Sequence, residues 1–369
     1  MSRRVVISAV NFTVGGPLTV LQDCLAAAAA ELPPDWEIVA LVHDTALVRE
    51  PRVRAIAFPE AKTSWGRRLR LEYHGFHALS RELQPDLWLS LHDMSPRVKA
   101  RRQAVYCHNP APFYRCSWRE GRLERSLLLF SLFYEHLYRF NIHANDLVIV
   151  QQEWLRREFQ RRFGVDRVVV AHPGVQLNAP APAERARASR QPGDRLVLFY
   201  PALPRVFKNF ECLGEAAALL PPELAGRVEI RCTIDGSENA YAREVVQRHG
   251  GHPSMRFIGR QDRAGMAREY AGCDVVLFPS RLETWGLPIT EAKAWGRPLL
   301  VADLPYAHET VGRCDAVAFL DPRNPRAWAD AIAAVEAGRP PFRPVQAVQP
   351  AAPFAADWSQ LWKLLVEGL

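Results

Sequence analysis

The chain has 369 residues, 48% of them hydrophobic and 24% charged, an ordinary soluble globular composition at more than twice a typical single-domain length, so two domains are expected. Forty-seven Lys+Arg against 40 Asp+Glu leave a formal charge of +7, which favours an anionic partner: nucleic acid, a phosphorylated small molecule or an acidic membrane surface. No run reaches the roughly 18 apolar residues that span a bilayer, and seven scattered cysteines without a C-x-x-C pair argue against a disulfide framework or a zinc site and for a reduced, cytoplasmic compartment.

Short apolar runs alternate with longer amphipathic stretches from end to end, the pattern of parallel strands joined by crossover helices. In chain order, strands are expected at 5–10, 36–42, 53–58, 87–91, 104–107 and 147–151. The run at 5–10 is too short for a signal-peptide core and leads into N-F-T-V-G-G-P, where Gly15-Gly16 would let backbone approach a ligand or simply make a tight turn. Asp93 follows the fourth of these strands, in L-H-D-M, and is a candidate acceptor-site residue. His108, in V-Y-C-H-N-P, ends the fifth and would face a ligand cleft, although a lone histidine in such a place is often structural.

Charge is uneven. Residues 51–170 hold 21 Lys+Arg against 12 Asp+Glu, which leaves 26 against 28 for the rest. Within that stretch, 65–81 mixes arginines with aromatics, and 126–140, SLLLFSLFYEHLYRF, is unusually apolar. An anionic membrane surface against residues 65–140, with Arg67, Arg68 and Arg70 near headgroups, is one expectation. A core helix with a solvated arginine face is the other. Interleaved arginines and aromatics can also hold single strands, but no nucleic-acid motif is present, so no nucleic-acid partner is expected.

Residues 176–194, rich in Pro, Ala and Arg without apolar periodicity, read as a linker. A second strand series follows at 196–200, 228–233, 255–258, 275–278, 299–301 and 316–319. Arg205 and Lys208 stand three apart just after the first of these strands, where two cations could neutralise a diphosphate. After the strand at 275–278 comes the most informative passage, F-P-S-R-L-E-T-W-G-L-P-I-T-E. Glu283 and Glu291 flank one strand-to-helix turn, and the N–H groups of 286–289 would form an anion-binding nest between them. That suits a phosphorylated sugar. The blander reading is a solvated loop acid and a glutamate complementing the helix dipole. The segment 354–369 is expected to be a helix, packing across to the first domain or capping its own.

The setting D-V-V-L-F-P-S-x-x-E-T-W-G-L-P-x-x-E-A-x-A-x-G-x-P resembles the family 4 retaining glycosyltransferases of the GT-B fold. So do D-L-V-I-V-Q-Q-E-W with V-A-H-P-G-V before the linker, and P-A-L-P-R-V-F-K-N after it. One departure is Pro201-Ala202, where many members have Gly-Arg. The resemblance implies two doubly wound Rossmann-like domains facing each other across a cleft: 1–175 on the acceptor side, a linker at 176–194, and 195–353 binding the nucleotide sugar. It also implies catalytic roles for His108, Glu283, Lys208 and Arg205. Glu283 would take sugar hydroxyls, Glu291 the ribose, and Lys208 with Arg205 the diphosphate, while His108 would contact the donor sugar. Gly15, Gly16, Thr284, Trp285, Gly286, Leu287, Asn209, Gly236 and Ile258 complete the implied donor site.

The expected activity is transfer, with retention, of a hexose from a nucleotide diphosphate sugar to a hydroxyl of a glycan or lipid-linked saccharide of the cell-surface polysaccharide type. No cofactor or metal is expected, since no D-x-D occurs among the 16 aspartates. The chain would be cytoplasmic, or peripheral on the inner membrane face. A GT-B sugar-nucleotide hydrolase or epimerase, and a non-catalytic membrane- or polymer-binding scaffold, are the alternatives.

Overall fold

The computed structural model describes residues 3–13, 15–174 and 194–369; the expected linker at 176–194, apart from Asp194, lies outside them. The described residues fall into two compact units, one drawn from Met1–Phe113, Phe130–Val175 and Pro350–Leu369, the other from Tyr114–Leu129 and Gln176–Gln349. Residues 114–129, read as part of the first half, thus belong with the second. The reason is packing rather than chain order: Glu120 and Glu124 are bonded to Arg281 and Arg205.

The first unit is an eight-stranded, wholly parallel sheet. Its strands are β1 Arg4–Ser8, β2 Glu37–Val42, β3 Val53–Ala57, β4 Leu87–Ser90, β5 Arg102–Cys107, β6 Leu147–Val150, β7 Val168–Ala171 and β15 Phe354–Ala355, in the order β15-β7-β6-β5-β4-β1-β2-β3. Strands buried on both faces need no polar alternation, which is why β1 and β4 read as apolar runs. Successive residues still divide between faces: Val5 and Ile7 join the core that contains Leu21, Leu25 and Trp362, whereas Val6 packs with Phe76, Leu83 and Trp88.

The second unit holds β8 Leu196–Tyr200, β9 Val228–Cys232, β10 Met255–Phe257, β11 Val275–Phe278, β12 Leu299–Ala302, β13 Cys314–Leu320 and β14 Arg343–Val345, in the order β10-β9-β8-β11-β12-β13-β14. All neighbours are parallel except β13 and β14. Chain direction across each sheet reverses once, between β1 and β4 in the first and between β8 and β11 in the second. Ligands of such sheets bind outside the carboxyl ends at that reversal.

The helices used below are α1 Gly16–Glu31, α2 Trp65–Arg70, α3 Phe76–Leu83, α4 Trp118–Leu123, α5 Arg125–Arg139, α6 Glu153–Phe163, α7 Phe210–Ala218, α8 Ala240–His249, α9 Arg263–Gly272, α10 Leu287–Ala294, α11 Pro305–Val311, α12 Pro325–Glu336 and α13 Trp358–Val366. The C-terminal helix α13 packs on α1, with Trp362 Nε1 donating to Cys24 O at 3.1 Å. Arg102 caps its far end by donating to Leu365 O and Glu367 O at 2.7 and 2.8 Å. Asp357 opens α13 by accepting Gln360 N–H at 2.8 Å. Asp357→Ala is therefore expected to cost about 1 kcal/mol, read as a lower midpoint in thermal melting.

Residues 65–140 divide in a way the sequence left open. On α2, Arg67 and Arg70 are exposed but Arg68 is buried, which corrects its expected place near headgroups. One helical turn puts it against Glu72, with Nε to Oε1 at 3.7 Å, while its Nη2 reaches His92 Nδ1 at 3.2 Å. On α5, Leu127, Tyr134 and Tyr138 are core residues, while Leu129, Leu132 and Phe133 are 55%, 56% and 59% exposed. No helix among the described residues is long and apolar enough to cross a membrane.

Candidate functional site

In the second unit two loops leave neighbouring strand ends at the reversal point, one after β8 and one after β11. The first carries Arg205, Lys208 and Asn209. Tyr200, fully buried on β8, donates its hydroxyl to Lys208 O at 2.6 Å, and burial pushes its phenol up, so it stays a neutral donor. Lys208 Nζ, between the rings of Phe207 and Phe278 at 5.7 and 5.5 Å, donates to Glu283 Oε1 at 2.5 Å. Both side chains are largely buried. The structure therefore brings together Lys208 and Glu283, which lie 75 positions apart.

Arg205 is 41% exposed and paired with Glu124, which also accepts Val206 N–H at 3.1 Å. Asn209 adopts a left-handed conformation (φ 61°), and its amide donates to Pro279 O and Pro322 O at 3.0 and 2.8 Å. Its side chain ties the loop to the end of β11 and is spent there.

After β11 the chain passes Glu283, half-buried Thr284 and Trp285 and reaches Gly286. Trp285 Nε1 donates to Thr290 Oγ1 at 3.1 Å, and Trp285 O accepts from the Thr310 hydroxyl. Gly286 has φ +90°, and a Cβ there would stand 3.2 Å from Phe278 Cε1, so the turn into α10 requires glycine. The nest expected over 286–289 is smaller than read: Pro288 has no N–H, and the N–H of Ile289 is bonded to Gly286 O at 3.0 Å. Gly286 and exposed Leu287 are left to offer theirs. Glu291 sits beyond the first turn of α10, because the helix begins at Leu287. Its Oε2 accepts the Tyr270 hydroxyl at 2.5 Å. Burial first and then the Glu291 charge drive the Tyr270 phenol up, which keeps it a donor.

Gly236 (φ +92°) donates its N–H to Glu238 Oε2 at 3.0 Å within its own loop. Ile258 is half-buried, and its O accepts Gln261 Nε2 at 2.8 Å. These positions follow β9 and β10, farther along the same carboxyl edge.

In the first unit, Gly15 (φ +69°) precedes α1 and Gly16 opens it, with open space where a Cβ would stand on either. Asp93, three residues after β4, is buried in a left-handed conformation (φ 67°). Its Oδ1 accepts the N–H of His108 at 2.6 Å, the N–H of Asn109 at 3.1 Å and the Tyr138 hydroxyl at 2.9 Å; Oδ2 accepts the Tyr134 hydroxyl at 3.0 Å. His108 Nε2 lies 3.7 Å from the same Oδ2, with its ring edge-on to Phe12 at 5.4 Å. Asp93 is thus brought together with His108, as its holder.

Beside it lies a buried set the sequence did not reveal: Ser8 Oγ is 3.0 Å and Glu72 Oε1 3.3 Å from His92 Nε2. Burial drives Glu72 up to about 8 and lowers His92, with the Arg68 charge opposing the first shift and adding to the second. Between pH 4.5 and 8 the unfolded chain has released the Glu72 proton while the folded chain still holds it, so this group makes stability fall as pH rises through that window. Glu72→Gln is expected to flatten the fall, measured as melting temperature against pH.

Arg281 was also missed. Its backbone N–H donates to Phe207 O at 2.7 Å and its Nη2 to Val206 O at 2.8 Å, with Glu120 and Glu211 carboxylates at 2.8 and 3.3 Å. It locks the two site loops together. An arginine two residues before Glu283 was visible in the sequence, but its four partners are tertiary.

Residues 181–345 match the sequence profile described as "Glycosyl transferases group 1". The D-inositol 3-phosphate glycosyltransferase of Mycolicibacterium gilvum is 31% identical over 209 residues, 55% of this chain and 46% of that protein. That of Mycolicibacterium vanbaalenii is 29% identical over 247 residues, 62% and 53%. The chain spans about half the length of these curated relatives. Among solved structures, sucrose-phosphate synthase from Thermosynechococcus elongatus superposes with a TM-score of 0.63 at 16% identity, covering 91% of this chain and 90% of that one. WaaG, a glycosyltransferase involved in lipopolysaccharide biosynthesis, gives 0.62 at 15% identity over 89% and 90%. Anabaena HepE in complex with UDP-glucose gives 0.58 at 16% identity over 91% and 90%. The chain therefore has the GT-B fold, and its residues 181–345 match the group 1 glycosyl transferase profile.

Proposed function

We propose that the chain is a retaining glycosyltransferase of the family 4 type, moving a hexose from a nucleotide diphosphate sugar to a hydroxyl of a glycan or lipid-linked saccharide. The observation that carries this reading is the Lys208–Glu283 pair at the β8/β11 reversal, with Glu291 one helix turn beyond it. Lys208 would neutralise charge growing on the departing diphosphate, Glu283 would hold sugar hydroxyls, and Glu291, aimed by Tyr270, the ribose. Arg205 would join Lys208 on the phosphates. The bond from the anomeric carbon to phosphate breaks, a bond to the acceptor oxygen forms on the same face, and the departing phosphate oxygen takes the acceptor proton. With protein cations assigned to the phosphates and no D-x-D in the sequence, the proposed site works without metal.

Relatives named for inositol 3-phosphate suggest a phosphorylated polyol as the competing acceptor class. The α5 stripe favours a lipid-linked one. Leu129, Leu132 and Phe133 lie at i, i+3 and i+4 on its exposed side, flanked by exposed Arg122, Arg125 and Arg139, a combination suited to anionic lipid. A cytoplasmic chain, peripheral on the inner membrane face, is the corresponding location. Leu132→Ser with Phe133→Ser is expected to weaken sedimentation with phosphatidylglycerol vesicles about tenfold.

Donor turnover measured with and without acceptor tests the function. Release of sugar phosphate or free sugar at equal rates in both would favour a hydrolase; acceptor-dependent turnover with retained anomeric configuration supports transfer.

A further inference from the structure

We propose that Glu124 is a built-in stand-in for the donor diphosphate and sets donor affinity by having to give up Arg205 when the donor arrives. The inference rests on the donor-site reading above. Glu124 is the single residue between α4 and α5 and has a non-helical backbone, φ −141° and ψ 79°. One of its carboxylate oxygens pairs with Arg205 Nε and the other accepts Val206 N–H at 3.1 Å. A guanidinium and a backbone N–H converging on the two oxygens of one anion is the arrangement that also holds a phosphate.

Both cations of the 205–208 loop are therefore already neutralised, but by carboxylates of different standing. Glu283 belongs to the loop after β11 and keeps a part in the proposed reaction. Glu124 comes from the segment 114–129, packed into the second unit from the first half of the sequence, and has no part in that reaction. Its position is fixed rather than incidental. Glu120, four residues earlier, is anchored by Ser117 N–H at 2.7 Å and the Tyr114 hydroxyl at 2.6 Å, and pairs with Arg281 at 2.8 Å. Arg281 in turn holds Val206 O. Glu124 is thus delivered to Arg205 by a braced segment, and it is largely buried, so salt screens it little. Arg205 remains 41% exposed, open to a ligand. A diphosphate brings more charge than a carboxylate and can take the guanidinium, but its net gain is reduced by the pair it breaks.

Glu124→Gln keeps an oxygen for Val206 N–H and removes the charge. Calorimetric titration uses whichever of UDP, GDP and dTDP binds the wild-type chain most tightly. The Kd is expected to fall about five- to tenfold in Glu124→Gln. That gain is expected to vanish between Arg205→Ala and the Arg205→Ala, Glu124→Gln double variant, since there is then no guanidinium to release. Unchanged or weaker binding in Glu124→Gln overturns the proposal. So does an equal gain in both backgrounds, which would reflect mere removal of a nearby negative charge. Should the variant melt below the assay temperature, the wild-type chain decides: its Arg205 Nε–H resonance must shift on nucleotide addition, and a resonance that stays put overturns the proposal. A wild-type chain that binds none of the three nucleotides overturns the donor-site reading itself, a separate result from binding without gain.

Discussion

Lys208→Ala is expected to lower kcat/KM for transfer by about 10²- to 10³-fold in a chain that stays folded. The side chain does two things at once. Its Nζ is bonded to Glu283 at 2.5 Å, so truncation leaves a largely buried carboxylate without its counter-charge, and it removes the cation nearest the proposed leaving group. Its backbone is held separately, by the Tyr200 hydroxyl on Lys208 O, so the loop itself should survive. Steady-state kinetics with circular dichroism of the same preparation checks both halves. Arg205→Ala should cost less, about tenfold, because Arg205 is more exposed and shared with Glu124.

Asp93→Ala is expected to destabilise the first unit by about 3–5 kcal/mol, read as a lower midpoint in urea unfolding. The carboxylate accepts four hydrogen bonds, from two backbone N–H groups and two buried tyrosine hydroxyls. Burial and the Asp93 charge keep both phenols high and neutral, so removing the acceptor strands their donors. Tyr138 can fall back on Asn109 O at 3.0 Å; Tyr134 has its bond to Asp93. Asp93→Asn keeps acceptor oxygen and should lose about half as much. An Asp93 acting through contact with an acceptor hydroxyl would instead show lost transfer at undiminished stability.

How much of this could be read from the sequence follows from what each signal encodes. Buried parallel strands announce themselves as apolar runs, so both strand series were legible, whereas the reversal points emerge only from the strand order of the folded sheets. Strands β7, β14 and β15 were not legible, being short edge or near-edge segments whose pairing is decided by distant chain: Phe354 pairs with Val170. The E-x7-E passage marked Glu283 and Glu291, but spacing carries no information on what stands opposite. Tyr270 against Glu291, Glu124 against Arg205 and the four contacts of Arg281 are tertiary facts. Arg68 shows the same limit in one residue. A basic stretch looks uniformly solvated until helix phase turns one member inward against Glu72 and His92.

Calorimetric titration of the full chain with UDP, GDP and dTDP, repeated on Lys208→Ala, tests most directly that the β8/β11 edge holds a nucleoside diphosphate. One of the three is expected to bind the wild-type chain, and Lys208→Ala to weaken it at least about tenfold. No binding by any of them, or equal binding by Lys208→Ala, would contradict the assignment.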